Sequence, residues 1–249
     1  MESHLNKEFD LIIAANSGIG LTTIELFSSK SRDLIVTCRC ITDDFKVYCN
    51  DLMKMYDTII VLIELDITES DQITDLKKYL YSNKIEIRSL IIIAGKAHGG
   101  LLLATHLRDI KEVFEINYFS QIGLIQNIQR FLNKNGSGNI IFVSSIVGFD
   151  TAKGSIAYGG SKALINYTIP ILADEFSSNK IRVNGVAPSL TDTRMAKLMD
   201  KGAFDHMIER SFSKRLANPK EISNIIYFLA SEESNYINGQ IIRADGGMH

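Results

Sequence analysis

Three residues, Ser145, Tyr158 and Lys162, have the types and spacing to move a proton on and off a carbonyl oxygen. Tyr158 opens the run Tyr-Gly-Gly-Ser-Lys, and Ser145 stands thirteen residues before it. If 157–169 is helical, Tyr158 and Lys162 fall at i and i+4 on one face. A phenol ordinarily titrates near 10, so at neutral pH it is a reluctant acid or base. A cation one helical turn away favours the phenolate and brings the group toward its working range. Ser145 could then hydrogen-bond the oxygen whose charge changes. Tyr-x-x-x-Lys also arises as a plain surface pair, so the rest of the chain must show where a hydride donor binds.

Elements that could hold such a set are readable along the chain. Short, β-rich apolar runs occur at Asp10–Ala14, Leu34–Thr37, Ile59–Leu65, Ser89–Ala94, Asn139–Val143, Ile181–Val186 and Gln240–Arg243. Between them lie amphipathic segments near 19–30, 42–55, 69–82, 106–116, 118–134, 155–178 and 219–231. This alternation predicts βαβ units, hence an α/β domain with a doubly wound parallel sheet of about seven strands, covered by helices on both faces. The segment 191–215 breaks the rhythm, carrying Met195, Leu198, Met199, Phe204, Met207 and Phe212 among charges. Beyond a strand's carboxyl end, such an insertion would lie over the ligand crevice as a lid, or pack as a helical pair on the core.

The 249 residues, 45% of them hydrophobic, suffice for one large core, and no linker or repeat divides them. A net charge of −2 gives no electrostatic reason to expect nucleic acid or anionic membrane as a partner. No run approaches the ~20 apolar residues needed to span a bilayer, and Met1-Glu2-Ser3-His4 does not open a signal peptide. Cys38, Cys40 and Cys49 lack a histidine at zinc spacing, so Cys38-Arg39-Cys40 reads as a strand end and no metal is expected. That cysteine usage suits a reducing cytoplasm.

The first strand runs into Ala14-Ala15-Asn16-Ser17-Gly18-Ile19-Gly20, with an amphipathic helix after it. Glycines in this context let backbone amides and a helix N-terminus approach a pyrophosphate. Nineteen residues after Gly20 the second strand ends at Cys38-Arg39, without an acid. An acid there would bind ribose hydroxyls, whereas an arginine accommodates a 2′-phosphate, so NADP(H) is favoured with NAD(H) possible. Arg39 also reads as a solvated charge. Asp66, in Leu-Asp-Ile-Thr, could accept a bond from an adenine amino group or cap the helix beginning near Thr68.

At this point the chain resembles the single-domain short-chain dehydrogenase/reductases, of the 3-oxoacyl-(acyl-carrier-protein) reductase-like type. The markers run in order: Ser17-Gly18-Ile19-Gly20, Leu65-Asp66-Ile67-Thr68, Ala94-Gly95, Asn117, Ser144-Ser145, Tyr158 to Lys162, Val183-Asn184-Gly185-Val186-Ala187-Pro188, Thr193, Asn238-Gly239-Gln240 and Asp245-Gly246-Gly247. The resemblance implies Tyr158 as acid/base, Lys162 as the group that lowers its pKa and holds the nicotinamide ribose, and Ser145 as the group that orients the carbonyl. It implies that Asn117 fixes a water linking Lys162 to solvent. A cofactor site of Ala14, Asn16, Ser17, Gly18, Ile19, Gly20, Arg39, Asp66, Ile67, Ala94, Gly95, Tyr158, Lys162, Pro188 and Thr193 follows from the same likeness. So does a homo-oligomer, dimer or tetramer, in which the helix from Tyr158 packs against its mate; Pro170 inside that helix would bend it.

The chain departs from the family's pattern at several places. Ile13-Ala14 stands for the usual Thr-Gly, Ile92-Ile93 for Asn-Asn, and Ser189 for the glycine after Pro188. Losing both partners of a buried hydrogen bond is nearly neutral, so Ile13 is expected to pack against 92–93. Ala14 is expected to weaken cofactor binding by narrowing the room for a positive φ. Substrate-pocket candidates by position are Lys96, His98, Ile146, Val147 and Lys153, His98 reading equally as a solvated loop residue. Arg130, Lys134 and Arg182 are scattered candidates for docking an acyl-carrier protein. The function expected is reduction of a carbonyl, in a small molecule or an acyl thioester, or the reverse. The alternative is a cofactor-binding regulator or scaffold that kept the fold and lost turnover.

Overall fold

In the computed structural model, which describes residues 7–133, 138–197 and 199–248, the strands form one parallel sheet. They are β1 (Lys7–Ile13), β2 (Leu34–Cys38), β3 (Ile60–Glu64), β4 (Ile85–Ile92), β5 (Asn139–Val143), β6 (Arg182–Pro188) and β7 (Ile241–Ala244). Their spatial order is β3-β2-β1-β4-β5-β6-β7. The order reverses between β1 and β4, and ligands of open α/β sheets bind at that switch point, outside the strands' carboxyl ends.

Helices cover both faces. On one side α1 (Ile19–Ser28), α2 (Asp43–Tyr56) and α9 (Pro219–Ala230) supply Ile24, Phe27, Phe45, Ile222 and Ile226 to a core that includes Ile12, Val36 and Ile141. On the other, α3 (Ser70–Ser82), α5 (Ser120–Ile128) and α6 (Ile156–Glu175) pack Leu76, Leu124, Ile165 and Ile169 on Leu11, Leu90 and Phe142. β2 and β5 are buried along their whole length, which is why they read as continuous apolar runs rather than alternating ones.

β1 and β4 begin earlier than their apolar runs suggest. Glu8, Asp10, Glu86 and Arg88 interrupt the hydrophobic signal there, yet the strands stay in register from Lys7↔Ile85 onward, with one irregularity at Phe9/Asp10. Ion pairs make this possible. Asp10, fully buried, takes two 2.6 Å bonds from Arg32, and Arg88 reaches Glu8 at 2.8 Å. This polar end of the sheet lies opposite the carboxyl ends of the strands.

Ile13 is 1% exposed and pairs in register with Ile92, so the apolar substitution at both positions closes a dry contact. Helix α6 is continuous through Pro170. The segment near 106–134 is three pieces rather than two helices: α4 (Leu107–Phe114), a π turn at Glu115–Phe119, and α5, after which a 3-10 turn ends at Phe131. Lys134 and Leu198 lie outside the described residues. No described helix is long and apolar enough to cross a membrane.

Candidate active site

The carboxyl ends of β4 and β5 bring Asn117, Ser145, Tyr158 and Lys162 together. Ser145 follows β5, and its hydroxyl faces the Pro188 carbonyl at the end of β6, 3.4 Å away. Tyr158 and Lys162 lie in the first turns of α6, with the lysine Nζ 5.9 Å from the tyrosine ring centroid. Lys162 is 3% exposed and donates a 2.8 Å bond to the Val143 carbonyl. A side chain at Gly95 would meet Lys162 Nζ at 3.5 Å and Asn117 Oδ1 at 3.6 Å, so the ammonium and the amide share one small space.

Asn117 is fully buried in the π turn, a local widening of the helix that recurs at functional sites. Its Oδ1 accepts from the Lys96 amide at 2.7 Å, and its Nδ2 donates to the Lys96 carbonyl at 3.0 Å and to Ser161 Oγ at 2.9 Å. Ser161 in turn donates to the Tyr158 carbonyl at 2.7 Å. Gln121 holds the same loop by donating to the Ala94 carbonyl at 2.9 Å. Ser161 and Gln121 were not singled out from sequence, although Ser161 lies at i+3 from Tyr158, where the helix period puts a neighbour.

Burial dominates the electrostatics here. It pushes the Tyr158 phenol above its ordinary value, and a hydrogen bond from Ser145 opposes part of that rise. It also depresses the Lys162 ammonium to about 8. The expectation that Lys162 draws the phenol downward is thus met in the protein itself by a stronger opposing effect, desolvation, while the lysine's bond goes to Val143.

The glycine turn lies beside this cluster, across the switch point. Gly18 takes φ 49°, and a Cβ there would meet Thr193 at 2.7 Å; a Cβ at Gly20 would stand 2.5 Å from the Ala15 backbone. Ala14 itself adopts φ 62°, a left-handed conformation, and its amide faces Thr37 Oγ1 at 3.4 Å. Asn16 and Ser17 are exposed at the start of α1, which lacks a side-chain cap. Arg39 is exposed at the end of β2. Asp66 bonds the Thr68 amide at 3.0 Å and hydroxyl at 2.7 Å, which makes it a turn former ahead of α3, with Ile67 buried behind it.

Thr193 opens the insertion, which contains α7 (Arg194–Lys197) and α8 (Lys201–Arg210). α8 buries no residue, so it is not a core element. Its far end is held at Ser211, whose hydroxyl donates to the Asp245 and Gly246 carbonyls at 3.2 Å each. Ser189 Oγ meets Met248 Sδ at 3.2 Å. Lys96 is drawn into an ion pair with Glu112. Val147 and Lys153 line a depression of about 550 Å³ with Leu101, Leu102 and Phe149, while Ile146 is buried. Arg182 donates to the carbonyls of Ile237, Leu229 and Ser231, which makes it a structural brace rather than a docking charge. Arg130 is exposed and lies over Phe131.

A family model described as enoyl-(acyl carrier protein) reductase matches residues 13–249. The chain belongs to the short-chain dehydrogenase/reductase family. Within it the chain is 30% identical to a 3-oxoacyl-[acyl-carrier-protein] reductase, FabG, of Thermotoga maritima, over 96% of each. It is 28% identical to the FabG of Aquifex aeolicus over the whole of both chains. The fold is shared with a short-chain dehydrogenase/reductase of Serratia marcescens, at TM-score 0.89, 20% identity and 98% coverage of each chain. A 7α-hydroxysteroid dehydrogenase solved with NADH and 7-oxo glycochenodeoxycholic acid superposes at TM-score 0.87 with 23% identity, over 98% of this chain and 96% of that one. The chain is therefore a 3-oxoacyl reductase-like member of this oxidoreductase family.

Proposed function

We propose that this short-chain dehydrogenase/reductase reduces a carbonyl to an alcohol with NADP(H), on a 3-oxoacyl thioester or a smaller ketone, using Tyr158 as the acid. The observation that carries the reading is the convergence of Ser145, Tyr158 and a buried Lys162 at the carboxyl ends of the strands, beside the glycine turn. The residues present fit a dinucleotide. A side chain at Gly18 would run into Thr193 and one at Gly20 into the Ala15 backbone, so the turn needs glycine there, and its amides stand at an uncapped helix start.

Asn16, Ser17, Gly18, Ile19 and Gly20 would hold the pyrophosphate, Arg39 the 2′-phosphate, and Asp66 and Ile67 the adenine side. Ala94, Gly95, Pro188 and Thr193 would border the nicotinamide end, with Tyr158 and Lys162 on its ribose. When bound, the cofactor supplies or accepts the hydride. The chain's own residues handle the proton. Ser145 orients the carbonyl oxygen, Tyr158 protonates it, and the Lys162 ammonium stabilises the phenolate left behind. Asn117 has both amide hydrogens committed to Lys96 and Ser161, so a relay water would meet its oxygen or its main chain. The insertion from Thr193 acts as the lid, in a cytoplasmic homo-oligomer.

The test is NADPH oxidation with a carbonyl panel that includes a 3-oxoacyl thioester, wild type against Tyr158→Phe. Turnover that drops at least about 100-fold in the variant is expected, within the range of a lost general acid. Undiminished turnover in Tyr158→Phe would defeat the mechanism. NADPH binding without turnover of any panel member would instead favour the regulator.

A further inference from the structure

Asn166 lies on α6 one helical turn beyond Lys162, on the same side of the helix. Its Oδ1 accepts the hydroxyl of Ser144, which is 3% exposed and whose amide donates to the Val186 carbonyl at 2.8 Å. Ser144 stands between Val143, whose carbonyl takes the Lys162 bond, and Ser145. The other end of the amide is different. Asn166 Nδ2 is buried without a hydrogen-bond partner. It lies against the turn Ile146–Gly148 that Ser145 caps, where only a glycine fits: a Cβ on Gly148 would stand 2.7 Å from Nδ2 and 2.8 Å from the Lys162 carbonyl carbon.

An unpaired buried amide costs about 1–3 kcal/mol, and an apolar pair in place of Ser144 and Asn166 would cost little or nothing. A group that costs stability at that spot calls for a reason other than stability. We propose that Asn166 is a positioning residue: by holding Ser144 and the Ile146–Gly148 turn against α6, it sets where Ser145 meets Tyr158. This rests on the roles given above to Ser145 and Tyr158. Two ties then fix the end of β5 to the catalytic helix. Lys162 to Val143 is one, and Asn166 to Ser144 is the other, on either side of a single peptide unit.

The test pairs Ser144→Ala/Asn166→Leu with wild type and reads the Tyr158 titration by carbon NMR of labelled tyrosine, assigned with Tyr158→Phe. Among the described residues, the charged or hydrogen-bonding groups at that phenol are Ser145 and, behind the ring, Lys162. With Ser145 less well placed, the Tyr158 midpoint should move up while Tm stays at or above the wild-type value. Where the wild type turns over, kcat should fall about tenfold or more with KM for NADPH little changed. Ser144→Thr, which keeps the hydroxyl, should behave as wild type.

An unmoved Tyr158 midpoint in a folded double variant overturns the proposal, and so does a loss of kcat that only follows a loss of folded protein. If the double variant does not fold, equal Tyr158 midpoints in Ser144→Ala and Ser144→Thr overturn it as well. The midpoint needs no turnover. A failure of the reductase reading shows separately, as activity kept by Tyr158→Phe.

Discussion

Replacing Ala14 tests how the cofactor turn is built. Ala14 holds φ 62° between β1 and the glycine turn. In that region the Cβ of an L residue crowds the following carbonyl, at a cost of about 1–2 kcal/mol. Glycine removes the crowding but gives the unfolded chain about 0.4–1 kcal/mol more entropy to lose. The difference favours Ala14→Gly by about 0.5–1 kcal/mol, or about 1–4 °C in Tm for a chain of this size. Valine should go the other way, because a β-branched residue is an outlier at positive φ, with strain of order 1–3 kcal/mol.

Strand propensity alone would rank valine first and glycine last at this position. Thermal unfolding of the three proteins therefore separates the two arguments by order, not only by size. Expected is Gly above Ala above Val. A valine variant as stable as wild type, or a glycine variant less stable, refutes the strain. The second readout is NADPH fluorescence. The left-handed backbone is already formed with alanine, so what remains against the cofactor is the methyl group. Its removal should tighten Kd by about threefold to tenfold, ~0.7–1.4 kcal/mol. Equal dissociation constants would mean the methyl points clear of the ligand.

Two further substitutions probe the charges. Burial holds Lys162 at about 8, below its ordinary 10.5, so between those values the unfolded chain binds more protons than the folded one. Stability then rises with pH through that window, and the penalty is fully present below pH 8. Lys162→Met should accordingly be more stable than wild type at pH 7, by up to about 3 kcal/mol, with the gap narrowing by pH 10; a gap independent of pH in urea titrations contradicts this. Arg39→Ala should raise the NADPH Kd about tenfold to hundredfold, the loss of charge-assisted bonds worth ~1.5–3 kcal/mol, and leave the NADH Kd alone. Equal losses for both cofactors would remove Arg39 from the 2′-phosphate.

Most of the architecture was legible because strands buried on both faces announce themselves as apolar runs. The early starts of β1 and β4 have one cause. Glu8, Asp10 and Arg88 sit inside real strands, where ion pairs of Asp10 with Arg32 and of Arg88 with Glu8 and Asp10 make them compatible with a sheet. Those partners are too far along the chain for any window to see. Within the site, Tyr158 and Lys162 were visible because a helix converts spacing into direction. Ser161, Gln121 and Asn166 were not, since their partners are backbone carbonyls or side chains twenty-two or more residues away in most cases. The unusual turn shows both sides of this. Sequence marks Ala14 as out of place, but the left-handed angle of its backbone is set by the fold around it.

The electrostatics of Tyr158 and Lys162 also bear on direction. Sequence reasoning has the lysine cation lowering the phenol pKa. In the folded chain burial raises the phenol and depresses the ammonium, so both groups are pushed toward their neutral forms. A phenol held protonated is ready to donate, which suits reduction. On the mechanism proposed above, donation leaves a phenolate that, among the described residues, Ser145 and a charged Lys162 are placed to stabilise, and Lys162 keeps its proton only below about pH 8. The reduction kcat should therefore hold steady through neutrality and fall as pH rises past about 8, with the phenol still protonated there. Lys162→Met should be slow at every pH and lack that limb, whereas Arg39→Ala should keep it. A wild-type reduction profile that stays flat to pH 9.5 or so, with NADPH saturating, would show that the lysine's charge is not what the phenolate needs.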